Sequence, residues 1–188
     1  MEQLTNFING KFMQPKTEEY LDVFEPATGQ VYSKVPNSSS TDIDVAFQAA
    51  NAAFPGWSEL TVTDRSQYLH KIAELLEHQL DDFADYESRD TGKPVTLAKS
   101  VDIPRAIANF RFFAEYGPTF KFDSEINSAQ SENRVVHSPL GVVGCISPWN
   151  LPLYLFTWKI APALIAGNTV IGKPSEITPY TAYKLGEI

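Results

Sequence analysis

A chain of 188 residues, 43% hydrophobic and 20% charged, is long enough to bury one real core and does not have the composition of a disordered tail. Its net charge of -8, with no Lys/Arg cluster, excludes a phosphate-backbone binder, so no nucleic-acid partner is expected. One cysteine forbids an internal disulfide and fits a reducing cytoplasm, and no signal peptide or bilayer-spanning run is seen, since Pro152, Lys159 and Pro162 interrupt the longest apolar stretch, Leu151 to Ala166.

Short strands and turns are predicted over residues 6 to 35. Phe7-Ile8 before Asn9-Gly10 is a hairpin signal, and Asp22-Val23-Phe24 precedes a Pro26/Gly29 turn. A helix is expected from an N-cap at Thr41, with Ile43, Ala46, Phe47 and Ala50 on one face, giving way at Pro55-Gly56. A second helical region begins near Thr63, places Leu69, Ile72, Leu76, Leu80 and Phe83 at helical spacing, and stops at Gly92 with Pro94 beyond. The third, about Leu97 to Tyr116, carries Ile103, Ile107, Phe110 and Ala114 in one stripe. Pro104 either kinks it or starts its second half, and Gly117-Pro118 closes it.

From Ser124 to Ser138 the chain is too polar to build a core and is predicted to form a surface ribbon around an Arg134-Val135-Val136-His137 strand. The run from Gly141 to Glu176 then reads as buried strand, polar turn, apolar helix, strand and polar turn. In such a parallel β-α-β unit both turns leave the carboxyl ends of their strands and face one crevice. One turn brings Asn150, the other Lys173 and Glu176: a hydrogen-bond donor, a cation and an anion at one sheet edge, suited to a nucleotide and a developing oxyanion. Thr178 is expected to cap a last helix with Pro179 at its first position. The chain ends at Ile188 inside that helix, and we expect a fragment.

Each candidate residue has a plainer role beside the chemical one. Asn150 can donate to an oxyanion, or cap the helix that follows Pro152. Lys173 and Glu176 can meet a ribose, where a carboxylate disfavours the extra phosphate of NADP, or form a solvated loop. Gly167 to Lys173 matches the opening of a phosphate loop, but Pro174 stands where Ser or Thr would hold magnesium, so a triphosphatase is rejected. Cys145, inside an apolar strand, is expected to be an inert thiol. His70, Glu74 and His78 share a helical face, read as solvated, and no metal is expected.

Several ordered motifs resemble the aldehyde dehydrogenase superfamily. They are Phe7-Ile8-Asn9-Gly10-Lys11, Glu25-Pro26-Ala27-Thr28-Gly29, Asp90-Thr91-Gly92-Lys93-Pro94, Ser147-Pro148-Trp149-Asn150, Trp158 to Leu164, Ala166 to Val170, and Lys173-Pro174-Ser175-Glu176. The resemblance runs end to end but covers only the amino-terminal part of that family's longer pattern. It implies an α/β fold: part of a Rossmann-like parallel-sheet NAD-binding domain with flanking helices and a protruding β ribbon at 121–140 that serves oligomerisation, the catalytic domain being absent. It implies Asn150 as oxyanion donor, with Ile146, Ser147, Pro148, Trp149, Lys173, Ser175 and Glu176 binding NAD in preference to NADP. The catalytic cysteine and general-base glutamate fall in the absent portion, so these residues alone are expected to be inactive.

Ile103 to Phe113 and Pro148 to Tyr154 are most similar to the 2-hydroxymuconic and 2-aminomuconic semialdehyde dehydrogenases, whose aldehydes also bear a carboxylate. By that resemblance Arg105 grips the carboxylate, while its plain reading is a surface Arg paired with nearby acids. The implied partners are a small-molecule aldehyde and further copies of the chain, as dimer or tetramer. The alternative is a truncated, non-catalytic remnant that acts only in binding or assembly.

Overall fold

The structure, a computed structural model, describes residues 1–121, 123–127 and 130–188. At the amino end β1 (Glu2–Gln3) runs parallel to β5 (Gln30–Pro36), which pairs antiparallel with β4 (Tyr20–Glu25). The predicted hairpin forms from β2 (Asn6–Ile8) and β3 (Lys11–Met13), with Phe7 opposite Phe12. Asn9 and Gly10 take φ of 52° and 70°, the left-handed pair that a two-residue turn requires and that these residue types tolerate.

Helix α1 (Ser40–Ser58) starts earlier than predicted, after Ser39 and not after Thr41. The reason is Asp42, whose carboxylate accepts from the backbone N–H of Ser39 and of Lys16, both at 2.8 Å, so Thr41 is already inside the first turn. The helix also runs past Pro55-Gly56. Pro55 forgoes its own helical N–H bond, and Trp57 Nε1 fastens the last turn to the Leu164 carbonyl at 3.1 Å. Burial follows Val45, Ala46, Ala49 and Ala50, whereas Ile43 and Phe47 of the predicted stripe face outward.

The second helical region is two helices, α2 (Val62–His78) and α3 (Leu80–Thr91), broken at Gln79 (φ -106°, ψ 22°). Gly92 terminates the pair, as predicted. The third is a short α4 (Val95–Leu97), a π-helical turn (Ala98–Asp102) and α5 (Ile103–Tyr116), so Pro104 starts a second half at the helix's first positions, where its missing N–H costs nothing. Leu69, Leu76, Phe83, Ile103, Phe110 and Leu153 are fully buried and form the main core between α2, α3, α5 and the last crossover helix.

The ribbon is β6 (Ser124–Asn127) paired antiparallel with β7 (Glu132–Val135). Its strand ends at Val135, two residues short of the prediction, where Asp123 accepts the His137 N–H at 3.0 Å. Residues 122, 128 and 129 of the predicted ribbon lie outside the described residues.

The crossover unit is as predicted: β8 (Val142–Ile146), α6 (Pro152–Ile165) and β9 (Thr169–Lys173), the strands parallel with Val142 opposite Thr169 and Ile146 opposite Lys173. Gly172 lets α6 sit this close, since a Cβ there would fall 2.5 Å from the Phe156 ring. The strands are less buried than predicted: each has one neighbour, and Ile146 stays 69% exposed. The chain closes with α7 (Tyr180–Leu185), and Thr178 does not cap it, its hydroxyl being engaged elsewhere. Among the described residues no helix is long and apolar enough to cross a membrane.

Candidate functional site

The carboxyl ends of β8 and β9 carry two loops, 147–151 and 174–179, and hydrogen bonds hold them side by side. Ser147 N–H donates to Lys173 O at 3.1 Å, and Thr178 Oγ1 donates to Trp149 O at 3.2 Å. The sequence therefore placed both loops correctly at one edge.

Asn150 is exposed, and its side chain makes no hydrogen bond among the described residues. It does not cap α6: the cap position is Leu151, and no side chain bonds the first turn from there. Pro152 at the head of the helix removes one N–H that would need a partner. An amide held at a strand end with free donors can serve an oxygen that acquires charge.

On the other loop Lys173 Nζ and Glu176 Oε2 pair at 2.8 Å, both about half exposed. That contact, with the backbone N–H of Glu176, holds the carboxyl below the usual carboxylate range, so it is fully ionised at neutral pH. An exposed pair of this kind contributes little to stability and opens readily to a ligand. Ser175 is buried and accepts the Ile177 N–H at 3.2 Å, which shapes the turn. Around the loops Ile146 and Trp149 expose apolar surface, Pro148 is exposed, and the buried Ser147 hydroxyl has no partner among the described residues. Apolar faces beside unengaged donors are what a bound nucleotide needs.

Arg105, on α5, is exposed and lies over the Tyr154 ring of α6, 5.4 Å from its centre, one turn after Asn150. Among the described residues it forms no ion pair, so the paired surface Arg of the plain reading is not what the structure shows. Cys145 is buried, and burial pushes its thiol up, partly offset by Lys159. A thiol so placed is a poor nucleophile. The phosphate-loop look-alike is strand β9 over Thr169–Lys173. On α2 His78 Nδ1 lies 2.7 Å from the Glu74 carbonyl, and the described residues hold no cluster of metal-ligating side chains.

Sequence reasoning missed the polar layer behind the loops. Glu87 and Asp90, one turn apart on α3, are 0% and 1% exposed. Asp90 accepts from the Tyr180 N–H at 2.8 Å and from the Tyr32 hydroxyl; Glu87 accepts from Thr181 Oγ1 at 3.0 Å, while its Oε1 is buried without a hydrogen-bond partner among the described residues. Nearby, Lys93 pairs with the buried Asp102 at 2.8 Å. The only trace in the sequence is an acidic pair spaced i, i+3 on a helix, a pattern usually solvated.

Burial raises the Glu87 carboxyl from 4.5 to about 7 against the pull of Thr181 and Lys93, with Asp102 adding to the rise. A carboxyl raised by folding favours the folded state least once it ionises. Stability is therefore expected to fall as pH rises from about 4.5 to 7, by an amount on the order of 3 kcal/mol. Urea midpoints at pH 5 and 8 should drop for the wild type and drop distinctly less for Glu87→Gln; equal drops would remove Glu87 as the cause.

The profile described as aldehyde dehydrogenase family matches residues 12–188. The chain is 50% identical over 183 residues to the 2-aminomuconic semialdehyde dehydrogenase of Bos taurus, covering 97% of this chain and 37% of that protein. It is 42% identical over 193 residues to the 2-hydroxymuconic semialdehyde dehydrogenase of Pseudomonas sp. (strain CF600), covering 100% and 40%. Among solved structures, PnpE from Pseudomonas sp. WBC-3 superposes with a TM-score of 0.93 at 37% identity, over 98% of this chain and 38% of that one. PnpE in complex with nicotinamide adenine dinucleotide does so with a TM-score of 0.92 at 37% identity, over 99% and 38%. The chain thus spans well under half the length of the relatives it matches.

Proposed function

The chain belongs to the aldehyde dehydrogenase family, and we propose on that footing that it is the NAD-binding amino-terminal portion of an enzyme oxidising a carboxylated semialdehyde to the acid. The observation that carries this is the unengaged amide of Asn150 on a loop bonded directly to the loop of Lys173 and Glu176.

In the proposed reaction a cysteine thiolate adds to the aldehyde carbon, and the carbonyl oxygen becomes an oxyanion. Asn150 Nδ2 donates to that oxygen where the charge develops. Bound NAD would supply the acceptor for the hydride that leaves the former aldehyde carbon as the adduct becomes a thioester, and water would then hydrolyse that thioester to the acid and free the thiol. Nucleophile and general base are assigned to residues outside this chain, because its one cysteine is the buried Cys145 of β8. Residues 1–188 alone are accordingly expected to be inactive.

Ile146, Ser147, Pro148 and Trp149 are assigned to one wall of the cofactor groove, and Lys173, Ser175 and Glu176 to the adenosine ribose. An ionised Glu176 accepts from a ribose hydroxyl and repels a 2′-phosphate, which favours NAD over NADP. Arg105, with its guanidinium unpaired by acids, is assigned to the substrate carboxylate. The exposed β6–β7 ribbon is assigned to pairing with another copy, as dimer or tetramer, and the cytoplasm is the proposed compartment.

The test uses the protein expressed from its complete reading frame, with NAD and 2-hydroxymuconic semialdehyde, following NADH. Failure to form NADH with any carboxylated semialdehyde would sink the proposal. Arg105→Ala is expected to raise KM for that substrate by roughly 10- to 100-fold, the worth of a charge-assisted pair of bonds. KM for an uncharged aldehyde of similar size should hardly move, and an equal rise for both would remove Arg105 from the substrate site.

A further inference from the structure

We propose that Asp90, assisted by Glu87, is a positioning residue for cofactor choice: it holds the first turn of α7 and so fixes where Glu176 presents its carboxylate. This rests on the assignment of Glu176 to the adenosine ribose.

Helix α7 is six residues long, too short to be stable by its own hydrogen bonds. Its first turn is instead fastened from outside. Tyr180 N–H donates to Asp90 Oδ2 at 2.8 Å, Thr181 Oγ1 to Glu87 Oε2 at 3.0 Å, and the Tyr180 hydroxyl to Glu2 Oε2 at 2.6 Å. Tyr32 donates to the other oxygen of Asp90 and so orients the carboxylate. All of these acceptors but Glu2 sit on α3, which is part of the main core through Phe83 and Ala84.

Between Glu176 and Tyr180 lie only Ile177, Thr178 and Pro179. Thr178 is tied to the Trp149 carbonyl and Pro179 has a fixed φ, so the segment has little slack. A displacement of α7 therefore pulls on the Thr178–Trp149 tie and on the short loop that carries Glu176. Removing the Asp90 carboxylate leaves the Tyr180 N–H without its acceptor, and the turn must move to find another. Misplacing a binding group by about 1 Å is enough to cost a contact. NAD and NADP differ at the ribose position that Glu176 is assigned to read, so the loss should show in the preference between them.

The experiment measures dissociation constants for NAD and NADP, and KM for the aldehyde, in the protein from its complete reading frame. Asp90→Ala is expected to weaken NAD about tenfold and NADP by less than about threefold, narrowing the preference, with aldehyde KM unchanged. Asp90→Asn keeps an acceptor for the Tyr180 N–H and should restore the preference. Glu176→Gln is the reference. If it narrows the preference and Asp90→Ala does not, the positioning role is overturned. If Glu176→Gln itself leaves the preference intact, the ribose assignment is wrong and the inference goes with it. Should Asp90→Ala fail to fold, Thr181→Val loosens the same turn through Glu87 alone. It is expected to narrow the preference about threefold, and an unchanged preference in that folded variant overturns the role.

Discussion

An Asn150→Ala variant is expected to lose about 100- to 1000-fold in kcat, the usual effect of deleting one oxyanion donor, while its thermal midpoint stays where it was. The two halves of that expectation come from different observations. The rate loss follows from the proposed chemistry: the carbonyl oxygen gains its charge as the thiolate adds, and a fixed amide donor is stronger toward the oxyanion than toward the ground-state carbonyl. The unchanged stability follows from the structure, in which Asn150 is exposed and makes no bond to α6. A helix cap would behave in the opposite way, costing about 1 kcal/mol of stability and nothing in rate. Turnover under saturating NAD and a melting curve on the same preparation separate the roles. A folded variant with full turnover returns Asn150 to the status of a surface residue.

Replacing Arg65 by Ala is expected to destabilise the chain by about 3 kcal/mol or more. Arg65 is only 8% exposed and forms no ion pair among the described residues. Its partners are backbone carbonyls: Nε donates to Ile165 O at 3.0 Å, and Nη1 donates to Leu60 O and, at 3.4 Å, to Ser58 O. Ile165 ends α6 and Ser58 ends α1, so one cation satisfies carbonyls that helix ends leave open, at the negative ends of two dipoles. Next to it Ser66 donates to Ala114 O of α5 at 2.6 Å. Residues 65 and 66 thus join α2 to the ends of three other helices. Arg65→Lys should recover less than half of the loss, because an ammonium cannot spread over the same carbonyls. Urea denaturation with an unchanged slope reads the difference, and a loss under about 1 kcal/mol for Ala would contradict it.

Much of the fold and the place of the site could be read from the residues. The Asn9-Gly10 hairpin, the stop at Gly92, a kink or restart at Pro104 and the parallel unit from β8 to β9 all follow from turn chemistry or apolar periodicity within a dozen residues. The errors were equally local in origin. Thr41 looks like a cap because nothing nearby says that Lys16 meets Asp42, and the α2–α3 break at Gln79 lies inside a run whose spacing stays helical. Predicting buried strands ignored how many neighbours each strand has, which no strand's own sequence states.

By itself the sequence determined most of the elements, their order, the shared edge at the carboxyl ends of β8 and β9, and the family motifs around Asn150, Lys173 and Glu176. Only the tertiary structure decided that Asn150 is not spent on a helix cap, that Arg65 closes two helix ends, and that Asp90 and Glu87 hold α7. The physical reason is separation along the chain. Asp90 meets Tyr180 across 90 residues and Arg65 meets Ile165 across 100. Short-range propensity fixes a helix and its apolar face, but a buried charge is satisfied by whichever distant backbone group the packing delivers, and that choice leaves no local mark.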